Sequence, residues 1–438
     1  MLYEELSKKI VHAAHLVHDE LHFGFLEAVY GNALYKELSR MGLKCECQKQ
    51  LDVYYKGRSV GTLAETVDHR IAFEYSDSWL ADGFTISPFS LPLRSGLFLP
   101  SVDARRTGSG LYGVFADSLP DSWGELLLTR ALQEAGINRP LSVIERLAYV
   151  GDSGMGALEY YPSESVQYKI GDLDYDEIAR TCADILSSKA VENLEVLYRL
   201  GGSSGGSRPK ILIADDDGEW IVKFPRSTDA PDIGKMEYDY SVCAKNCGIN
   251  MPETALIPSG TCDGYFKTKR FDRSESGKVF TISAAALLEV DSQTQYRDYF
   301  DLMRLTNILT AENKYQIEQV FRLMCFNVFA HNYDDHLKNV SFLYDDMIWS
   351  LAPAYDLTYS MTYFMGHTTT VNGKSSNITD ADLLAVGNSI GLSKKLCEQI
   401  ICEVREKTEV LTGYNTWRQG KAVGKVPVKD RLEDLKEK

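Results

Sequence analysis

Apolar and polar residues repeat along the chain with two different periods, and each period predicts a local structure. From Leu6 to Leu21 apolar residues recur at steps of three and four, which predicts an amphipathic helix over residues 3–22. A second helix is expected from Leu26 to Met41, between two glycines that break the pattern. The next stretch, QKQLDVYYKGRSVGTL, alternates with period two and predicts strands joined by a turn at Lys56-Gly57.

The rest of the chain divides into a strand-like region, a hairpin and a helical region. Residues 61–162 are expected to be β-rich, with one helix from Ser122 to Ala135, and residues 171–199 are acidic and helical in pattern. The stretch KILIADDDGEWIVKF predicts a hairpin whose turn is ADDDGE. From Ala284 onward the pattern is mostly helical and is interrupted by a second hairpin, NVSFLYDDMIWSL. The predicted fold class is therefore α+β.

The length and composition of the chain indicate a multidomain globular protein. A chain of 438 residues is too long for a single core and predicts two to four domains. The sequence has no run of 18 apolar residues, and its charged N-terminus lacks the apolar stretch of a secretory signal. These features favour a cytoplasmic protein.

The charge of the chain restricts its partners. A net charge of −15 argues against direct nucleic-acid binding as the main activity, because a phosphate backbone is bound by clustered Lys and Arg. The nine cysteines include no CxxC motif, which favours reduced, buried thiols. Zinc binding by the four histidines of the first predicted helix is an alternative, but no cysteine or carboxylate completes a ligand set, which favours solvated or packed side chains. These histidines are His12, His15, His18 and His22.

A glycine-rich loop, Gly201–Ser207, is the first stretch that indicates a specific chemistry. Its sequence GGSSGGS lets backbone N–H groups approach phosphate oxygens, because glycine has no Cβ atom. A flexible linker would have the same composition, and the GxxxxGK[ST] motif is absent. Lys210 then starts a predicted strand, Lys223 lies on the next strand, and Glu237 starts a predicted helix. Protein-kinase-like folds hold ATP phosphates with parts in this order, although Lys223 could also be a solvated edge lysine.

The segment HNYDDHLKN, at residues 331–339, follows a strongly apolar predicted helix. Asp334 and Asn339 are five residues apart, which is the spacing of Asp and Asn in the kinase catalytic loop. Asp356 follows a predicted hairpin and occupies the place of the kinase DFG aspartate. Phosphoryl transfer needs a carboxylate that accepts the proton of the hydroxyl, a role that suits Asp334. It also needs hard oxygen ligands for Mg²⁺, a role that suits Asn339 and Asp356.

A transition-metal site for phosphoester hydrolysis is the alternative interpretation of the same segment. His331, Asp334, Asp335 and His336 have the side chains for such a site. This alternative leaves the glycine-rich loop and Lys223 unexplained.

Several motifs, in the same order along the chain, resemble those of the HipA family of toxin kinases. The segments LDVYYKGRSVGTL, FEYSDSWL, ISPFSLPLRSG and VFADSLPDSWGELLL are similar to its N-terminal part. The segments LGGSSGGSRPK, IVKFP and FKTKRFDR resemble its ATP loop, ATP lysine strand and hinge. The segments HNYDDHLKNVSF and APAYDLT resemble its catalytic and metal-binding segments. The resemblance covers about residues 50 to 410.

The resemblance implies a bilobal protein-kinase-like fold, with a helical C-lobe, that follows a β-rich N-terminal subdomain. It implies Asp334 as the catalytic base with His336 beside it, and Asn339 and Asp356 as Mg²⁺ ligands. It also implies autophosphorylation of the ATP loop at Ser203 or the neighbouring Ser204, which would eject the loop. The residues that it places around ATP are Gly205, Gly206, Ser207, Arg208, Pro209, Lys210, Lys223, Lys269, Arg270, Phe271 and Tyr355.

The family also implies partners. Its members are toxins of toxin–antitoxin pairs that are restrained by a small helix-turn-helix DNA-binding antitoxin, and some phosphorylate an aminoacyl-tRNA synthetase. The first residues differ from this family, because GFLEAVY at residues 24–30 resembles the nuclease-like GxxExxY proteins. The later acidic and lysine positions of a PD-(D/E)xK nuclease are not evident, so residues 1–50 are expected to be a catalytically empty fragment for docking or packing.

The sequence therefore predicts a protein serine/threonine kinase that uses ATP and Mg²⁺. The alternatives are a pseudokinase scaffold that binds a nucleotide or partner without turnover, and a metal-dependent phosphohydrolase. The expected domains are a GxxExxY-like fragment, a HipA N-terminal subdomain, a kinase N-lobe and a kinase C-lobe, at residues 1–50, 51–165, 166–273 and 274–438.

Overall fold

The computed structural model describes most of the chain. The described residues are 4–21, 37–38, 40–41, 50–66, 70–101, 109–134, 136–163, 174–189, 191, 194–201, 206–226, 228–290, 297–360 and 366–414.

The described residues form the following helices and strands, in runs of either type. The helices are α1 (Glu4–Leu21), α2 (Asp77–Asp82), α3 (Gly113–Ala116), α4 (Ser122–Glu134), α5 (Val143–Val150), α6 (Tyr175–Leu186), α7 (Leu194–Gly201), α8 (Ile233–Asn246), α9 (Ala284–Leu287), α10 (Tyr299–Leu309), α11 (Lys314–Phe329), α12 (Asp380–Ser389) and α13 (Lys394–Thr408). The strands are β1 (Gln50–Tyr55), β2 (Arg58–Glu65), β3 (Ile71–Tyr75), β4 (Leu158–Tyr161), β5 (Lys210–Asp215), β6 (Gly218–Lys223), β7 (Thr254–Ile257), β8 (Tyr265–Lys269), β9 (Arg273–Ser274), β10 (Gly277–Lys278), β11 (Phe280–Ser283), β12 (Arg297–Asp298), β13 (Ser341–Tyr344), β14 (Trp349–Leu351) and β15 (Thr369–Thr370).

The first predicted helix is confirmed, since α1 spans Glu4–Leu21. Most of the second predicted helix, at 26–41, lies outside the described residues. His12 and His15 are exposed on α1, whereas the side chain of His18 and all of His22 lie outside the description. Within the described ranges, no three His, Cys, Asp or Glu side chains are grouped as a metal site requires.

Four strands of the N-terminal part form an antiparallel sheet in the order β3-β2-β1-β4. The predicted turn between β1 and β2 is confirmed: Lys56 and Gly57 have φ angles of 49° and 76°, and a tight two-residue hairpin turn favours positive values at both positions. Helix α5 was not predicted, because this region was expected to be β-rich. It begins with a capping box in which Ser142 and Glu145 bond each other's backbone N–H groups.

A second antiparallel sheet has the order β5-β6-β8-β7, and its first hairpin is the predicted one with the turn after Asp215. The inner face of this sheet shares a hydrophobic core with helices α4, α6 and α7. Trp123 and Leu127 of α4 are both buried in this core. Helix α4 therefore packs with the second sheet, although the chain places it among residues 51–165.

The C-terminal part consists of helices α10 to α13 and a small sheet in the order β11-β13-β14, whose β13–β14 hairpin confirms the second predicted one. The first sheet packs against this part, where the ring centroids of Tyr55 and Phe280 are 6.2 Å apart. The Tyr55 hydroxyl also donates a 2.5 Å hydrogen bond to Asp346. An α+β fold with an N-terminal sheet, a second sheet and a helical C-terminal part is thus confirmed.

Two further sequence-based expectations concern thiols and membrane segments. The described cysteines are all free thiols, as expected, and Cys182, Cys243, Cys247, Cys325 and Cys397 are buried, whereas Cys262 is half-buried and Cys402 is exposed. Within the part of the chain that the structure describes, no helix has both the length and the apolar character that a membrane span requires.

Candidate active site

A cleft of about 1200 Å³ lies where the second sheet, the C-terminal part and the loop before α4 meet. Glycine-rich loop, strand, hinge and catalytic-loop residues line it, although they are far apart in the sequence. The lining includes Gly206, Ser207, Lys210, Lys223, Lys269, Arg270, Phe271, Asp334, His336, Asn339, Tyr355 and Asp356. The structure therefore brings most of the predicted site residues to one cavity.

Lys223 lies at the end of β6 and connects the second sheet to α8 and to the C-terminal part. Its Nζ atom donates a 2.5 Å hydrogen bond to Glu237 Oε1 and also bonds Asp356 Oδ1. Burial disfavours the charged lysine, but Asp356 and Glu237 outweigh this effect and raise the pKa of Lys223. Lys223 is thus not a solvated edge lysine, because only 11% of its side chain is exposed.

Lys210 lies directly across the β5–β6 hairpin from Lys223. Burial, and then the neighbouring charge of Lys223, lower the pKa of Lys210 to about 8. Two lysines in register at the wall of a cleft repel each other, and an anion bound between them would relieve this repulsion. This part of the cleft therefore suits a phosphate group.

The end of the glycine-rich loop is anchored beside Lys210. Gly206 has a φ angle of 90°, and a Cβ atom there would lie 2.5 Å from Lys210 Nζ, so a larger residue would displace this lysine. Ser207 is exposed, and the buried Pro209 accepts a backbone hydrogen bond from Phe224. Ser203, Ser204 and Gly205 lie outside the described residues.

Arg208 follows this loop and faces two carboxylates. Its guanidinium lies 3.4 Å from Asp229 Oδ2 and 3.7 Å from Glu237 Oε2. Glu237 therefore has two basic neighbours, Arg208 and Lys223, and holds both of them near the cleft.

Asp334 lies in the loop after α11, and its carboxylate faces the cleft. Its backbone N–H donates to Ser360 Oγ, and its C=O accepts from the side chain of Asn339. Desolvation at the cleft wall raises the pKa of Asp334, while His336, whose Nε2 lies 3.7 Å from Asp334 Oδ1, lowers it in part. Since 58% of the side chain is exposed, we expect only part of the effect of full burial. An exposed carboxylate on a fixed backbone suits a proton acceptor.

The adjacent Asp335 points the other way and is buried. Its carboxylate accepts hydrogen bonds from the backbone of Thr368 and Thr369, from His367 Nδ1 and from the Tyr299 hydroxyl. This carboxylate therefore ties the catalytic loop to the chain around β15. The transition-metal alternative required Asp335 in the site, so the structure disfavours it.

His331, another of the four residues named for this alternative, is also engaged elsewhere. Its Nδ1 lies 3.0 Å from the hydroxyl of Tyr333. His336 lines the cleft, and its Nδ1 atom is buried and has no hydrogen-bond partner among the described residues.

Asn339 and Asp356 supply the oxygen atoms that suit Mg²⁺. The amide nitrogen of Asn339 is used by the Asp334 carbonyl, which leaves its Oδ1 for a cation. Asp356 has a φ angle of 58°, a backbone conformation that is uncommon outside glycine and that often marks functional loops. Lys223 is the main cause of the lowered pKa of Asp356, which is therefore ionised at neutral pH. A carboxylate and an amide oxygen on one cleft are hard ligands, so the residues present fit Mg²⁺.

The hinge residues all line the cleft, but the charged groups of Lys269 and Arg270 have partners on the hinge. The rings of Phe271 and Tyr355 lie 5.3 Å apart and are both at the cleft. Lys269 Nζ lies 3.6 Å from Glu253 and 5.4 Å from the Trp220 ring. These two contacts engage the Lys269 side chain on the hinge.

The guanidinium of Arg270 does not face the cleft freely. Only 2% of this side chain is exposed, and it bonds Asp272 twice, at 2.9 and 2.7 Å. Its backbone N–H donates to the Glu219 carbonyl, so Arg270 can offer its own carbonyl, rather than its charge, to a bound molecule.

Asp121 and Lys338 also line the cleft, although no role was predicted for either of them from the sequence. Lys338 Nζ donates a 2.5 Å hydrogen bond to Asp121 Oδ1. Both residues lie in segments that were recognised as family-like, but nothing in the local pattern predicted that they would meet.

Comparison with known proteins identifies three matching families. The HipA-like C-terminal domain matches residues 202–411, and the HipA N-terminal domain matches residues 51–161. The PD-(D/E)XK nuclease superfamily matches residues 4–72, which overlaps the N-terminal fragment and the start of the first sheet.

Relatives and a solved structure give similar results. Over 378 residues the chain is 25% identical to "Putative kinase Y4dM" of Sinorhizobium fredii (strain NBRC 101917 / NGR234), covering 82% of this chain and 89% of the relative. It is 26% identical over 344 residues to "Putative kinase Y4mE" of the same strain, covering 72% and 78%. A solved complex of the HipA, HipB toxin–antitoxin system of Shewanella oneidensis MR-1 with its operator DNA contains a chain that matches with a TM-score of 0.63 and 16% identity, over 88% of this chain and 94% of that one.

Proposed function

This chain belongs to the HipA family, and from that premise we propose that it is an ATP-dependent serine/threonine protein kinase. The supporting observation is the meeting of three separate segments in one cleft. Lys223 bonds Glu237 and Asp356 there, and Asp334 lines the same cavity. Protein kinases use a lysine–glutamate pair, a metal-binding aspartate and a catalytic-loop aspartate in this arrangement.

The basic residues of the cleft bind the phosphates. Lys210 and Lys223 lie side by side across a hairpin, and the glycine-rich loop ends beside them. The rings of Phe271 and Tyr355 form an apolar wall beside the hinge that suits the nucleobase. Mg²⁺, held by Asn339 and Asp356, supplies charge neutralisation when bound.

Asp334 acts as the proton acceptor. The γ-phosphoryl group leaves the bridging oxygen of ADP and bonds to the Oγ of a serine or threonine, while the proton of that hydroxyl passes to the Asp334 carboxylate. His336 Nε2 lies 3.7 Å from Asp334 Oδ1, close enough to act on this carboxylate through its charge when protonated.

The substrate and partners follow the family. A protein of the translation machinery, such as an aminoacyl-tRNA synthetase, is the substrate class, and a small DNA-binding antitoxin restrains the enzyme. The proposed antitoxin is supported by the similarity to a HipA chain from a complex with HipB and operator DNA. The need for ATP agrees with a cytoplasmic protein.

Autophosphorylation of Ser203 or Ser204 switches the enzyme off. A phosphoserine adds about −1.5 to −2 charge at neutral pH. Both serines lie a few residues before Lys210, so this charge would compete with the phosphates of ATP for the same lysines.

Incubation with Mg-ATP and mass analysis of protein and nucleotide tests the function. The proposal expects ADP together with phosphoserine or phosphothreonine on the chain or on an added protein. Release of free phosphate alone would favour the phosphohydrolase. ATP binding without turnover would favour the pseudokinase scaffold. Either result contradicts the proposal.

A further inference from the structure

The chain just before α4 contacts two parts of the cleft at once. Asp121 Oδ2 accepts a 2.7 Å hydrogen bond from the backbone N–H of Gly206, at the end of the glycine-rich loop. Its other oxygen, Oδ1, accepts a 2.5 Å hydrogen bond from Nζ of Lys338, in the catalytic loop. One carboxylate therefore joins the two loops between which phosphate would be transferred.

The position of Asp121 is fixed by the first turn of α4, which follows it directly. Its backbone C=O accepts from the N–H of Glu125 in the first turn of α4. Two residues further on, Trp123 is buried, its Nε1 donates to the Lys210 carbonyl at 3.1 Å, and its backbone N–H donates to Gly206 at 3.5 Å. Asp121 and Trp123, at the start of α4, thus bond the N–H and C=O groups of Gly206 and the C=O group of Lys210.

The charge of Asp121 suits this position. Burial alone would raise its pKa, but Lys338, the Gly206 N–H and Lys210 together lower it, so the carboxylate is ionised at neutral pH. An ionised carboxylate accepts a stronger hydrogen bond than a neutral group does, and each of its two oxygens has a donor here.

We propose that Asp121 is a positioning residue for phosphotransfer, because it fixes the end of the glycine-rich loop and Lys338 relative to each other. This inference rests on the proposed kinase function. It assigns a direct part in the site to the region matched by the HipA N-terminal domain, which contains Asp121 and Trp123.

The geometry predicts how the loss of this carboxylate acts. Without it, the Gly206 N–H loses its acceptor and Lys338 loses its partner, so both loops can move relative to bound ATP. A displacement of about 1 Å at a reacting site costs on the order of 100-fold in rate. Asp121→Ala is therefore expected to lower kcat/KM for ATP by about 10- to 100-fold. Asp121→Asn keeps one acceptor oxygen and is expected to lose less.

The experiment measures ATP turnover of the full chain for wild type, Asp121→Ala, Asp121→Asn, Lys338→Met and the Asp121→Ala/Lys338→Met double variant. Glu134→Gln is the matched control, since it removes an exposed carboxylate at the other end of the same helix. Because Lys338 is held by its contact with Asp121, which Asp121→Ala already removes, the double variant is expected to lose about as much activity as the more impaired single variant. Glu134→Gln is expected to match wild type.

Hydrogen exchange of the peptide that contains Gly206 gives a readout independent of turnover. The exchange of the Gly206 amide is expected to be faster in Asp121→Ala than in wild type and in Glu134→Gln. Provided that the wild type is active, three results would overturn the positioning role alone. They are full activity of Asp121→Ala, losses that multiply in the double variant, and unchanged exchange of the Gly206 amide. A wild type without phosphotransfer overturns the proposed function, and the inference with it.

Discussion

One cluster of charged side chains lies at the hinge and another lies in the cleft, and they differ in the exposure of the aspartate at their centre. The hinge cluster consists of Arg270, Asp272, Arg273 and Glu219, and the cleft cluster consists of Lys210, Lys223, Glu237 and Asp356. In the hinge cluster Asp272 has no exposed surface. In the cleft cluster Asp356 is 36% exposed. Both clusters pair acids with bases, and Glu219 at the edge of the hinge cluster is 43% exposed, so the clusters differ in the exposure of their central aspartate.

The hinge cluster has its donors and acceptors matched internally. Asp272 accepts from Arg270, from Arg273 and from the backbone N–H of Gly156. Both arginines also donate to the Gly154 carbonyl, which ties the hinge to the turn before β4. A buried charge whose hydrogen bonds are satisfied holds the structure in place and offers nothing to a ligand.

The two arginines of the hinge cluster share the buried Asp272 carboxylate, whereas the two lysines of the cleft cluster lie at the wall of an open cavity. Lys210 and Lys223 are neighbours across the hairpin, and this proximity contributes to the low pKa of Lys210. Such an arrangement is stabilised when an anion and a cation bind. We therefore expect the hinge cluster to be structural and the cleft cluster to be functional, so the same substitution in each cluster should have different effects.

The largest effect is expected for Asp356→Ala in the cleft cluster. This change removes a carboxylate that would hold Mg²⁺ and one partner of Lys223. We expect phosphotransfer to fall by at least about 10³-fold, the scale on which one charge-stabilising group acts in phosphoryl transfer. Calorimetry should also show that Mg²⁺ no longer tightens ATP binding. Asp216→Ala, at the exposed turn of the same sheet, is the control and should behave as wild type. Equal Mg²⁺ enhancement in Asp356→Ala and wild type would contradict the metal role.

The next effect is a loss of stability in Asp272→Ala. Removal of this carboxylate leaves Arg270 and Arg273 buried without their main partner, which typically costs about 3–5 kcal/mol. We expect a lower Tm in a thermal shift assay, while the activity per folded molecule stays close to wild type. Glu275→Ala, at an exposed position nearby, is the matched control. An unchanged Tm together with lost activity would contradict the structural role of the hinge cluster.

The pH dependence of this stability has a defined sign. Burial opposes ionisation of Asp272, but Arg270 and Arg273 hold its pKa below the ordinary value. Its contribution is therefore present above the unfolded pKa of about 3.9 and is lost as the pH falls through the folded pKa. The Tm difference between wild type and Asp272→Ala should shrink at acidic pH.

The smallest effect is a proton uptake by Lys210. Its pKa is about 8 in the free protein, and bound phosphate would raise it. At pH 8, about half of the Lys210 side chains are already protonated, so ATP binding should take up at most about half a proton per molecule. The affinity for ATP should fall as the pH rises above this pKa. Calorimetry in two buffers of different ionisation enthalpy measures the uptake. Lys210→Met should abolish it, and buffer-independent heats in wild type would refute the assignment.

Local features of the fold could be predicted from the sequence. The turn at Lys56-Gly57, the hairpin after Lys210 and the helix that begins at Ser122 depend on neighbouring residues, so short patterns determine them. Helix α5 was missed although its capping box, Ser142 with Glu145, was present in the sequence. The expectation of a β-rich region outweighed that signal.

The site was predictable where family-like motifs carried the residues, and less so where contacts are long-range. Lys223, Asp334 and Asp356 were predicted, and they line one cleft. The contact of Asp121 with Lys338 spans 217 residues, and no local pattern reports it. The opposite orientations of the Asp334 and Asp335 side chains could not be predicted from the sequence either, because they depend on contacts with the segment around Thr368.

The central claim is that Asp334 accepts the proton of the phosphorylated hydroxyl while other residues bind ATP. The most direct measurement compares phosphotransfer from labelled ATP and ATP affinity for wild type and Asp334→Asn. The side chain is 58% exposed, and its backbone contacts do not need the carboxylate, so the fold should survive. We predict lost phosphotransfer and nearly unchanged ATP affinity. Turnover near the wild-type rate in Asp334→Asn would contradict the account.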